Sequence, residues 1–127
     1  MEIFTLKRGD TRPILEVVLR DPAPAGSAPG TVGPVHDLTG STAWKLHVLL
    51  PTGTVFSRDM VVQGDPTGGV LRYTWASADW NADGLPARPS PQTLNMEYEV
   101  TGAAGARLTF PNDGYHTLQI VDDIGQA

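Results

Sequence analysis

The chain has 127 residues, a formal charge of −5 at pH 7 and 40% hydrophobic residues, which suits one domain with one core. It contains no cysteine, so disulfide staples, thiolate metal sites and cysteine nucleophiles are excluded, and its scattered cations argue against a phosphate-binding surface. With 14 Gly and 11 Pro, it suits short strands joined by turns better than a helix bundle.

The opening "MEIFTLKRGD" lacks the apolar core and cleavage site of a secretory signal, and no apolar run approaches membrane-spanning length. Glu2 to Lys7 alternates and reads as a first strand. A polar turn through Gly9 follows, then a second strand from Pro13 to Arg20. Leu15, Val17 and Leu19 share one face there, because strand side chains alternate with period two. Asp21 to Val35 is dense in Pro, Gly and Ala and has no period. It reads as a mobile loop within a single domain spanning residues 1–127.

Thr42 to Leu50 is the next strand, with Trp44, Leu46 and Val48 inward and Lys45 and His47 outward. Val55 to Gln63 runs back as one strand, "GDPTGG" turns the chain, and Val70 to Trp75 continues. "ASADWNADGL" breaks the alternation and fits one short helical turn capped by Ser77. Pro86 to Gln92 is irregular. Thr93 to Thr101 alternates again, with Leu94, Met96, Tyr98 and Val100 on one face. "RLTF" and "YHTLQIV" close the chain. Between them, Pro111, Asn112, Asp113 and Gly114 carry turn chemistry and read as a turn between strands. The total of about eight short strands points to an all-β sandwich or barrel.

Candidate chemistry is sparse. His36, His47 and His116 lack the spacing of a zinc site, and read as ordinary strand or loop histidines. Asp79 and Asp83 sit in "SADWNADG", which lacks the calcium-loop ligand pattern; helix capping and solvation account for them. Asp122 and Asp123 belong to a fraying terminus. Arg8 to Asp10 spells RGD, but at a position where a turn is required. No serine-elbow, phosphate-loop or dinucleotide motif occurs. Trp44 reads as core. Trp75, Trp80 and Leu85, around the broken stretch, are the candidate protein-contact residues.

Four segments, "LKRGDTRPILEVVLRD", "HDLTGSTAWKLHVL", "GGVLRYTWASADWNADGL" and "MEYEVTGAAGARLTFPNDGYHTLQI", carry a resemblance in their order and spacing. The sequence resembles the N-terminal domain of the phage baseplate upper protein. The match covers nearly the whole chain apart from Asp21 to Val35. The resemblance implies an all-β, antiparallel immunoglobulin-like sandwich. It also implies a non-enzymatic virion component of the tail, neck or baseplate, assembled in the bacterial host cytoplasm. With only "VDDIGQA" after the domain, the expectation is a small adaptor or accessory subunit. Its partners would be other virion proteins in a symmetric ring or shell, with no cofactor, nucleic acid or membrane. A capsid decoration protein and a carbohydrate-binding module are the alternatives; the second expects two exposed, coplanar aromatics.

Overall fold

The computed structural model describes residues 3–7, 14–80, 85, 92–111 and 116–121. In chain order the strands are β1 (Ile3–Lys7), β2 (Leu15–Val18), β3 (Ala43–Leu49), β4 (Val55–Asp59), β5 (Val61–Val62), β6 (Val70–Tyr73), β7 (Gln92–Thr101), β8 (Arg107–Phe110) and β9 (His116–Val121). They form two sheets. The larger runs β1-β9-β7-β3-β4 with β8 also on β7, and the smaller runs β2-β6-β5. The chain is therefore mostly β and sandwich-like, as its turn-rich composition requires.

The core lies between the sheets. Leu15, Val17 and Leu19 supply the smaller sheet's inner side, and Leu46, Val48, Leu94, Met96, Tyr98 and Val100 line the larger one. These are the inward sets set by period-two alternation. Each fully buried aliphatic side chain contributes about 1.5–3 kcal/mol of transfer free energy. Trp44 is only partly buried against this core, and its Nε1 donates to Ser41 Oγ at 2.8 Å.

Two expectations change. Val55 to Gln63 is not one strand: β4 pairs with β3 in the larger sheet, whereas β5 pairs with β6 in the smaller. The chain changes sheets at buried Met60. Corner strands commonly join two packed sheets in this way. Phe56, Arg58, Met60 and Val62 keep the same inward parity across the bend, so alternation does not reveal it. The larger sheet is also not wholly antiparallel, because β1 lies parallel to β9. These strands come from opposite ends of the sequence, so no hairpin fixes their direction, and the intervening fold serves as the crossover.

β8 and β9 both run antiparallel to β7, with Tyr98 opposite Phe110 and Met96 opposite His116. They therefore lie end to end along one side of β7 and point the same way. Asn112, Asp113 and Gly114, which carry the turn expected between these strands, lie outside the described residues, as does Tyr115.

The Asp21 to Val35 loop has a pinned neck. Asp21 N donates to Pro34 O at 2.8 Å, His36 N to Leu19 O at 2.9 Å, and Arg20 bridges Val35. A 3₁₀ turn, Pro66–Gly68, abuts this neck, capped by Asp65 and closed by Gly69 at φ 65°. Leu38 N donates to Pro66 O at 3.0 Å, and Leu19 N to Gly69 O at 2.8 Å.

Candidate functional site

The expected contact residues are mostly interior. Trp75 and Leu85 are each 1% exposed, and Trp80 packs partly buried against the core. Trp75 meets Tyr73 edge-on at 5.0 Å and lies 6.1 Å from Phe4. Its Nε1 has no hydrogen-bond partner among the described residues. Trp75 and Leu85 thus cannot anchor a surface contact, which corrects that expectation. The polar letters around them suggest exposure, but the 3₁₀ turn that lies between them in sequence, Ser77–Trp80, is drawn inward.

Asp79 draws it in. This residue, expected to be solvated, is 1% exposed in the 3₁₀ turn Ser77–Trp80. Ser77 is the first residue of that turn rather than the residue before it. Asp79 Oδ1 accepts from Arg58 Nε at 2.8 Å, and Oδ2 accepts from the Tyr73 hydroxyl at 2.6 Å and Ala76 N at 2.9 Å. Arg58 comes from β4 in the larger sheet and Tyr73 from β6 in the smaller, so one carboxylate ties both sheets together. A buried carboxylate needs such partners, because an unpaired one costs several kcal/mol, about 3–5 when a pair is broken. Burial, and then the hydrogen bond to Asp79, push the Tyr73 hydroxyl well above its usual pKa. Nothing in "SADW" alone predicts this; Arg58, Tyr73 and Asp79 are brought together only by the corner at Met60.

Arg58 has a second role. Its guanidinium lies 4.0 Å over the Phe56 ring, and Nη1 donates to Ser57 O at 2.8 Å. Backbone bonds Met60 N to Trp44 O and Leu50 N to Thr54 O show that the even-numbered residues of β4 bond to β3. The Ser57 carbonyl therefore faces the outer edge, where Arg58 occupies it.

The histidines are engaged locally. His36 Nδ1 meets Asp21 Oδ1 at 2.8 Å across the loop neck, and its ring lies 5.0 Å from Phe110. His116 Nδ1 shares a 3.1 Å hydrogen bond with the Tyr98 hydroxyl. His47 stands between Ser57 Oγ, 2.7 Å from Nδ1, and Glu99 Oε1, 3.1 Å from Nε2. That order of hydroxyl, imidazole and carboxylate matches a nucleophile, its base and the group that orients the base. Here, however, the three side chains come from neighbouring strands β4, β3 and β7, on the solvent side of the larger sheet. They form a cross-strand polar ladder, with water reaching each member.

A cleft of about 290 Å³ lies between the end of β2 and the β8–β9 junction, lined by Val18, Leu19, Arg20, Tyr98, Phe110, Pro111 and His116. Arg20 Nη1 donates to Gly33 O at 3.1 Å, tying the rim to the loop neck. Sequence spacing gives no sign of this cleft, since its walls come from three distant segments.

Among the described residues, no group of three or more His, Cys, Asp or Glu side chains could hold a metal ion, and no helix is long and apolar enough to cross a membrane. Arg8 to Asp10, Asp83, Asp122 and Asp123 lie outside the described residues. Comparison with protein-family models, curated proteins and solved structures gives no match.

Proposed function

We propose that this chain is a non-catalytic structural protein of a phage or phage-like particle. It acts by protein–protein assembly as an adaptor or accessory subunit of the tail, neck or baseplate. The observation that carries this reading is where the reactive side chains go. Asp79 joins the sheets, His36 clamps a loop neck, His47 sits in a surface ladder and His116 bonds Tyr98. The molecule uses these groups to hold its shape, leaving shape and backbone edges as what it offers a partner.

Strand order supports the immunoglobulin-like part of the reading. β2, β6 and β5 match B, E and D, and β4, β3, β7 with the β8–β9 line match C′, C, F and G. This agrees with the resemblance to the baseplate upper protein's N-terminal domain. The carbohydrate-binding alternative loses its motivating feature, because Trp75 is core and Trp44 and Trp80 pack against it.

Electron microscopy of particles from a host lacking this gene tests the proposal. An altered or missing tail, neck or baseplate density supports it. Normal, fully infectious particles refute it. Gold labelling of the tagged subunit separates a tail position from the head surface expected of a decoration protein.

A further inference from the structure

We infer that the outer face of the smaller sheet pairs with the same face of a second copy of this chain, about a two-fold axis that runs along the strands between β2 and β6. This goes beyond the assembly reading and does not depend on it, because two free chains suffice to form the contact.

The face follows from the register. Leu71 and Tyr73 of β6 are buried in the core, so Val70 and Arg72 point outward. On β2, Glu16 stands opposite Arg72 and Val18 opposite Val70; on β5, Val61 stands opposite Arg72. Gln63 N donates to Val70 O at 2.9 Å, which places Gln63 beside Val70. The outer face therefore holds two rows across the three strands, Glu16–Arg72–Val61 and Val18–Val70–Gln63. Val18 is 44% exposed and Val61 57%.

An antiparallel sheet face turned to water is commonly polar. The middle of the larger sheet's outer face follows this rule, with Lys45 between Asp59 and Glu99, and His47 between Ser57 and Glu97. The smaller sheet carries valines around one ion pair instead. Arg72 Nε and Nη2 both donate to Glu16 Oε2, at 2.9 and 2.7 Å. These bonds use neither Glu16 Oε1 nor Arg72 Nη1, and both side chains are part exposed.

The charges choose the occupant. A two-fold contact uses one patch on both copies, so the patch must complement itself. An axis midway between β2 and β6 sets each copy's Glu16 against the other's Arg72, and each copy's Val18 against the other's Val70. Four charges then alternate in sign around a square, with four valines packed beside them. A partner carrying charge of a single sign would meet one attraction and one repulsion at the same place. The contact is small, well short of the about 800 Å² per partner of a stable complex. It therefore yields a weak dimer, with a dissociation constant on the order of 0.1–1 mM.

The test is sedimentation velocity of the full chain from about 10 μM to 1 mM, where wild type should pass from monomer toward dimer. Tryptophan fluorescence confirms that each variant is folded. Val18→Asp should weaken association about tenfold. Glu16→Arg and Arg72→Glu should each weaken it about tenfold alone, because like charges then meet across the axis. An equimolar mixture of those two variants should regain the wild-type level, since each supplies the charge the other lacks. An ion pair that acts only within its own chain would leave the mixture no better than its parts. Monomer at every concentration, an unaffected Val18→Asp, or no recovery in the mixture overturns the inference. If the variants misfold, the wild-type amide shifts on dilution decide alone. Changes centred on Glu16, Val18, Val70 and Arg72 support the contact, and changes confined elsewhere overturn it. A chain found in particles yet monomeric throughout sinks the two-fold contact and spares the assembly reading. A chain that dimerises through this face but is missing from particles does the reverse.

Discussion

Replacing Asp79 with Asn tests whether one carboxylate joins the two sheets. The side chain keeps its shape but exchanges one acceptor oxygen for an NH2 donor. Its three partners, Arg58 Nε, the Tyr73 hydroxyl and Ala76 N, all point hydrogens at it. In one orientation the new donor faces Arg58; in the other it faces Ala76 N. Either way, at least one charge-assisted bond is lost and a donor is left opposing a donor. Bonds to charged groups are worth about 1.5–3 kcal/mol, and a stranded buried partner adds about 1–3 kcal/mol. Arg58 is 36% exposed and can turn toward water, which favours the lower part of that sum. The expected loss is about 3 kcal/mol. With a urea slope of about 1–2 kcal/mol/M, the unfolding midpoint should fall by about 2 M with the slope unchanged. Tryptophan fluorescence follows the transition. A double-mutant cycle with Tyr73→Phe should give a coupling of about 1 kcal/mol or more. A midpoint within about 0.3 M of wild type, or additive single effects, would refute the idea that this residue ties the sheets.

Further outcomes follow from the same geometry. Tyr73 holds its proton above the usual tyrosine pKa of about 10, which the unfolded chain keeps. Its stabilising contribution is whole below about pH 10 and is lost as pH rises beyond it. The stability gap between wild type and Tyr73→Phe should therefore shrink between about pH 9 and 11.5, and parallel pH profiles would contradict this. Gly69→Ala forces a left-handed residue whose Cβ would lie 2.5 Å from Val35 Cγ1 and 2.7 Å from His36 O, at an expected cost of about 2–4 kcal/mol. Gly53→Ala, at φ 88° with nothing within 4 Å, should cost only about 1–2 kcal/mol in the same denaturation assay.

Period-two alternation made much of this fold legible. The inward sets Leu15-Val17-Leu19 and Leu94-Met96-Tyr98-Val100 depend only on which residues are apolar, so the sequence displays them directly. What it hides depends on direction and distance. The sheet change at Met60 preserves inward parity, and the parallel course of β1 leaves no local trace. Asp79 reads as a solvated acid until Arg58 and Tyr73 arrive from separate sheets. For the same reason Trp75 and Leu85, flanked by polar residues, pass for surface anchors. The cleft was least legible of all, because the end of β2, the middle of β7 and the β8–β9 junction meet only after both sheets have formed.

The most direct test of an assembly role is to quantify this chain by mass spectrometry in particles purified through a density gradient. Co-purification at a fixed ratio to a tail, neck or baseplate protein, matching a closed symmetric ring, is the predicted result. Its complete absence from intact particles would contradict the account.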